Sequence, residues 1–178
     1  MTTLLFVCHA NMLRSAAAEA LARSMTPAGP WTFASAGVRA LVGSPADRDA
    51  TAALAARGVD CSQHRARQLT ATLLRNADLV LTFEGWQRVA AVQEEPSRHR
   101  SVLTIRRAAE VLGANSAGGE GLDLLRADRR RYGPGDDFAD PVGMGIDSVT
   151  AAVNEIEGLL RVILPGLGAA PGAEGIRQ

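Results

Sequence analysis

One turn near the start of the chain limits what it can fold into. The apolar run Leu4-Leu5-Phe6-Val7 breaks into Cys8-His9-Ala10-Asn11-Met12-Leu13-Arg14-Ser15 and resumes as an alanine-rich segment from Ala16 to Ala22. A short apolar run ended by a turn reads as a buried strand, and the segment after it reads as a helix. Where a strand passes directly into a helix N-terminus, several backbone N–H groups lack partners and the helix dipole adds partial positive charge. Such a turn cradles an anion. Cys8 sits at its mouth, where N–H donors and a guanidinium favour a reactive thiolate. Arg14 supplies a planar fork that matches two oxygens of a phosphoryl group, which a lysine would contact only as a point charge. The Ser15 hydroxyl is in reach of the Cys8 sulfur. Asn11 is the loop residue most tolerant of a left-handed backbone, which would turn N–H groups inward. His9, Ala10, Met12 and Leu13 complete the loop and are candidates to face a substrate.

The rest of the chain continues the alternation. Strands are expected over 3–7, 31–36, 78–83 and 101–104, and helices over 15–25, 46–57, 70–76, 85–94, 105–112, 122–131 and 146–164. This order predicts an α/β fold: a single three-layer domain with a parallel four-stranded sheet and the phosphate-binding loop between the first strand and the first helix. The domain is expected over 1–165, with Pro165 ending the last helix and 166–178 a disordered tail. Gly113 to Gly121 and Tyr132 to Gly145 read as loops. Phe83 and Trp86 read as core, Cys61 as an incidental thiol, and Arg129-Arg130-Arg131 as a solvated face able to draw anionic substrates toward the loop that follows. That loop carries three acids. Asp136 and Asp137 read as solvated turn residues, whereas Asp140 is followed by Pro141, which stiffens its backbone.

Equal counts of 19 basic and 19 acidic residues give no electrostatic case for nucleic acid or an anionic membrane as partner. All the basic residues are arginine. No leader pattern and no apolar stretch of about 18 residues is present, so a cytoplasmic location is expected, where Cys8 stays reduced.

The stretch from Leu4 to Arg23 resembles the signature of the low-molecular-weight protein tyrosine phosphatases. The likeness continues through Ser35-Ala-Gly-Val38, the segment from Arg57 to Leu69, the strand from Ala77 to Phe83, and Asp140-Pro141-Val142-Gly143. The resemblance implies hydrolysis of protein phosphotyrosine through a phosphocysteine on Cys8, without a metal or cofactor, and a cognate tyrosine kinase as counterpart. It implies that Asp140 is the general acid and then the general base. It also implies an Asn11–Ser35 hydrogen bond and places His64 beside that network. The chain departs from the family pattern at Ala10, Leu13 and Ala16, where the family usually has Gly, Cys and Pro. Leu41 and Val142 stand where the family places aromatic walls, so the pocket should grip a ring less tightly. Two rival readings are a thiol-dependent arsenate reductase, for which residues 84–95 carry no resolving cysteine, and a non-catalytic phosphate-binding regulatory module.

Overall fold

A computed structural model describes residues 1–26, 29–115 and 120–169. Four parallel strands, β1 (Thr2–Cys8), β2 (Trp31–Gly37), β3 (Leu79–Thr82) and β4 (Val102–Thr104), form one sheet in the order β2-β1-β3-β4. The register aligns Cys8 with Gly37, Val7 with Thr82, and Thr82 with Thr104, so the carboxyl ends of all four strands open on the same edge. Ligand sites of parallel sheets form at that edge.

Both faces of the sheet are covered, which is why the strands read as continuous apolar runs. Leu4, Phe6 and Cys8 point to one side with Phe33, Leu79, Leu81 and Leu103. Against them pack α1 (Arg14–Met25), α2 (Arg48–Ala55), α5 (Ile105–Ala114) and α7 (Ile146–Gly166). Leu5, Val7, Val80 and Val102 point to the other side, under α3 (Ala71–Asn76) and α4 (Gly85–Glu94). The short α6 (Gly121–Ala127) leans on α5.

Helix starts differ in a way that matters. Asp47, Thr70 and Thr104 cap α2, α3 and α5 with side-chain oxygens. Helix α1 starts after Leu13, with no side-chain cap and no acidic residue in its first turn. Its first N–H groups therefore remain available to a ligand.

Several boundaries differ from the sequence expectation. The helix expected over 122–131 ends at Ala127, because Asp128 turns extended and its carboxylate accepts from the Arg130 N–H instead. Helix α7 passes through Pro165 to Gly166. A proline this close to a helix end removes a single backbone bond, and the stop comes from Gly168. Gly168 takes φ +77°, so that its N–H reaches Pro165 O at 2.9 Å and the Ala169 N–H reaches Leu164 O at 2.8 Å. Leu167 and Ala169 are buried in the core. The remainder of the expected tail, 170–178, and residues 116–119 of the expected 113–121 loop lie outside the described residues. No helix among the described residues is long and apolar enough to cross a membrane.

Candidate active site

The loop between β1 and α1 is shaped from outside by its carbonyls. Those of Cys8, His9 and Ala10 accept from the N–H groups of Val38, Arg39 and Leu41 at 3.0–3.2 Å, and that of Met12 from Asp47 at 2.8 Å. The Asn11 carbonyl accepts from His64 Nε2 at 2.7 Å, which fixes the proton of that ring on Nε2. With every carbonyl from 8 to 12 held outward, the intervening N–H groups turn to the concave side. Among the described residues no protein acceptor takes the backbone N–H of His9 through Arg14. Asn11 makes the turn with φ 58°, the only positive φ of a non-glycine among the described residues. Ala10 needs no such angle. The loop also rests directly on β2: a Cβ at Gly37 would lie 2.5 Å from His9 O and 2.9 Å from Asn11 N.

A buried polar chain runs away from the Cys8 sulfur. Asn11 Nδ2 donates both its protons, to Ser15 Oγ at 2.9 Å and to Ser35 Oγ at 2.8 Å, while Asn11 Oδ1 accepts from the Arg67 N–H at 2.9 Å. Ser35 passes its own proton to Glu19 Oε2 at 2.5 Å. Ser15 Oγ, already an acceptor from Asn11, also hydrogen-bonds Cys8 Sγ at 2.9 Å, a contact in which a thiolate would accept the hydroxyl proton. Cys8, Asn11, Ser15 and Ser35 are all at most 3% exposed, so the chain is shielded from competing water. Burial pushes the thiol of Cys61 up; it lines a separate cleft of about 580 Å³ with Glu19, Ser35 and His64.

The Arg14 guanidinium is 2% exposed, and both its terminal nitrogens have partners. It bonds Glu84 Oε1 at 2.7 Å, Asp140 Oδ2 at 2.6 Å and the Phe138 carbonyl at 3.1 Å, and lies 5.7 Å from the Phe83 ring centre. Nothing local in the sequence singles out Glu84, which stands two residues after β3 at the ligand edge of the sheet. Its carboxylate also accepts from Gln87 Nε2 at 2.7 Å and from Trp86 Nε1 at 2.9 Å. That bond draws Trp86 to the rim. It is 45% exposed, against the expectation of a core position, and meets the His9 ring edge to face at 5.5 Å.

The mouth is a cavity of about 290 Å³. Cys8, Arg14 and Asp140 line it together with His9, Ala10, Met12, Leu13, Leu41 and Val142, and with Asp47, which sequence reading had not named. Leu41 and Val142 are exposed aliphatic walls. The loop carrying Asp140 is tied down at three points. The Phe138 N–H donates to Phe83 O at 2.7 Å, and Asp137 Oδ1 accepts from the Gly85 N–H at 2.6 Å. Asp136 overturns its reading as a solvated turn residue: it is buried and takes Arg107 Nε and Nη2 at 2.7 and 2.9 Å. Arg107 is the reason, since a buried guanidinium requires a carboxylate partner. Chemically, the site joins a shielded cysteine sulfur, inward N–H groups and a buried guanidinium with a carboxyl group 38% exposed at the rim. Among the described residues no three His, Cys, Asp or Glu side chains converge as a metal site requires.

Comparison with known proteins agrees with this geometry. The chain is 41% identical over 103 residues to the probable low molecular weight protein-tyrosine-phosphatase EpsP of Ralstonia nicotianae, covering 58% of this chain and 70% of that one. It is 43% identical over 100 residues to the low molecular weight protein-tyrosine-phosphatase Wzb of Salmonella typhimurium, covering 56% and 66%. The solved YwlE arginine phosphatase from Geobacillus stearothermophilus superposes with a TM-score of 0.77 at 27% identity, over 94% of each chain. The profile described as low molecular weight phosphotyrosine protein phosphatase matches residues 3–118, and with the strand order and cradle above it establishes that this chain belongs to that family.

Proposed function

We propose that the protein hydrolyses phosphotyrosine in protein substrates through a phosphocysteine intermediate. The observation that carries this reading is the Cys8 sulfur, hydrogen-bonded to the Ser15 hydroxyl, at the mouth of a loop whose N–H groups lack protein acceptors and beside the buried Arg14 guanidinium. In the first step the Cys8 thiolate attacks phosphorus, the bond to the ester oxygen breaks, and that oxygen takes a proton from Asp140. In the second, Asp140 takes a proton from water, the water oxygen attacks phosphorus, and the sulfur–phosphorus bond breaks to release phosphate and thiolate. Arg14 and the loop N–H groups balance the charge on the three non-bridging oxygens. Asn11, Ser15, Ser35 and His64 hold the loop and the sulfur in register. A tyrosine kinase supplies the substrate, in a cytoplasm that keeps Cys8 reduced.

A second reading, phosphoarginine as substrate, has one observation in its favour. The mouth has aliphatic rather than aromatic walls and carries Asp47 and Asp140, carboxylates suited to a guanidinium. Arsenate reduction has less support, because the one other cysteine, Cys61, lines a different cleft. The deciding experiment compares phosphotyrosine and phosphoarginine peptides with wild-type protein and Cys8→Ser. Turnover of the tyrosine peptide, a phosphocysteine trapped by acid quench, and no turnover by Cys8→Ser are expected. Aryl phosphatase activity in Cys8→Ser within a few fold of wild type would overturn the mechanism, and preference for phosphoarginine would overturn the substrate.

A further inference from the structure

Beside the acid loop, and separate from the mouth, lies a cleft of about 330 Å³ over the β4 edge of the sheet. Arg88 of α4, His99 and Arg100 of the turn before β4, and Arg129, Arg130 and Arg131 after α6 line it around Tyr132. Only Arg130 has carboxylate partners there, Glu110 at 2.5 Å and Asp128 at 3.1 Å. Asp128, the one acid in the lining, is also taken by Arg107 at 3.2 Å. Arg88 donates to the carbonyls of Val102 and His99 and lies 4.3 Å from the Tyr132 ring centre, and Arg129 donates to the carbonyls of Arg126 and Asp128. Carbonyls and rings orient a guanidinium without cancelling its charge. Among the described residues, Arg88, Arg100, Arg129 and Arg131 have no carboxylate within salt-bridge distance.

The chain as a whole has no net charge, so this concentration of positive charge is local. Arginines that cover a sheet edge would account for Arg88, which bonds the β4 backbone at Val102. They do not account for Arg100, Arg129 and Arg131, which are exposed. A concave surface lined by one sign of charge concentrates the opposite sign within it, and guanidinium forks match carboxylates in particular.

We propose that this cleft docks an acidic segment of the substrate polypeptide, flanking the residue whose phosphoryl group enters the mouth. The inference rests on the reading of a protein substrate, and the attachment of the cleft to the loop that carries Asp140 supports it. Tyr132, between the Arg88 and Arg107 guanidiniums, begins the loop that carries Asp140. Arg88 stands three residues along α4 from Gly85, whose N–H holds that loop through Asp137. Trp86, the residue after Gly85 along α4, meets His9 of the mouth edge to face at 5.5 Å. Each glutamate or aspartate of the segment exchanges water for a guanidinium partner that now has none.

The test measures docking apart from catalysis. A fluorescein-labelled, unphosphorylated glutamate-rich peptide is titrated with the full chain at low salt, as wild type, Cys8→Ser and Arg129→Glu/Arg131→Glu. Wild type and Cys8→Ser should bind alike, and the double variant at least about tenfold more weakly. In kinetics, the same variant should lose the advantage of a phosphotyrosine peptide with glutamate flanks over one with glutamine flanks, with p-nitrophenyl phosphate constants within about twofold of wild type. Equal binding by wild type and the double variant would overturn the proposal, as would an equal rise in KM for p-nitrophenyl phosphate, or displacement of the peptide by an RNA oligomer or anionic vesicles at lower concentration than by polyglutamate. If no phosphotyrosine peptide is turned over while peptide binding still depends on Arg129 and Arg131, the phosphotyrosine reading fails and the docking cleft stands.

Discussion

Replacing Asp136 with Asn tests whether a buried ion pair anchors the loop that carries Asp140. The substitution keeps the shape and removes one charge, leaving an Arg107 guanidinium 4% exposed. Two of its bonds, at 2.7 and 2.9 Å, lose their ionic partner, and Asp128 remains at 3.2 Å. Removing one member of a buried pair costs about 3–5 kcal/mol, and the surviving carboxylate puts this case at the lower end, about 3 kcal/mol. For a domain of this size that is a fall in Tm of about 6–12 °C, measured by calorimetry at pH 7. Its pH dependence has a definite sign. The Arg107 guanidinium holds the Asp136 carboxyl below the usual carboxylate range, with burial opposing and the Gly133 N–H assisting. A depressed carboxylate stabilises the fold fully above its unfolded value, about 3.9, and loses that contribution as pH falls through the lower folded value. The gap between wild type and Asp136→Asn should therefore hold from pH 7 to about 5 and close below about 4. Melting of the variant within 2 °C of wild type at pH 7, on the scale of about 2–4 °C per kcal/mol, would refute the anchoring argument. So would a gap as wide at pH 3 as at pH 7.

Gly37→Ala places a methyl 2.5 Å from His9 O; the loop must shift, and KM for an aryl phosphate should rise up to about 10²-fold while far-UV circular dichroism stays native. Asp140→Ala should slow phosphotyrosine cleavage about 10²–10⁴-fold and p-nitrophenyl phosphate cleavage much less, because nitrophenolate departs without a proton; the same leaving-group dependence in Asp137→Ala but not in Asp140→Ala would reassign the acid. Val142→Tyr restores an aromatic wall worth about 0.5–1.5 kcal/mol and should lower KM for aryl phosphates by up to about tenfold in steady-state kinetics; an unchanged KM would remove the wall from the account of specificity.

The sheet, its order of elements and the cradle could be read from the chain because their causes are local. An apolar run covered on both faces looks the same in sequence as in the sheet, and a strand, five loop residues and an Arg-Ser helix start occupy one contiguous stretch. Contacts across long sequence separations could not be read. Glu84 reaches Arg14 from 70 residues away, and Arg107 converts Asp136 from a turn residue into a buried partner across 29. Trp86 looks apolar by type, and only the Glu84 carboxylate beside it explains why the indole N–H holds the ring at the surface. At Pro165 a local rule gives the wrong stop, because a proline one residue before a helix end disturbs little and Gly168 supplies the turn.

The outward carbonyls of residues 8–12 separate two things that usually change together. Four of the five are held by backbone N–H groups of residues 38, 39, 41 and 47, and one by a histidine ring, so the curve of the loop is written in other segments. Side chains at positions 9, 10 and 12 can then vary without altering that curve, much as lettering on a page leaves the binding untouched. Ala10 is already one such variation. A library randomised at those three positions, with the core residue Leu13 kept, would explore what the mouth accepts on a constant anion cradle, whereas an exchange at Asn11 or Gly37 would rewrite the cradle for every substrate at once.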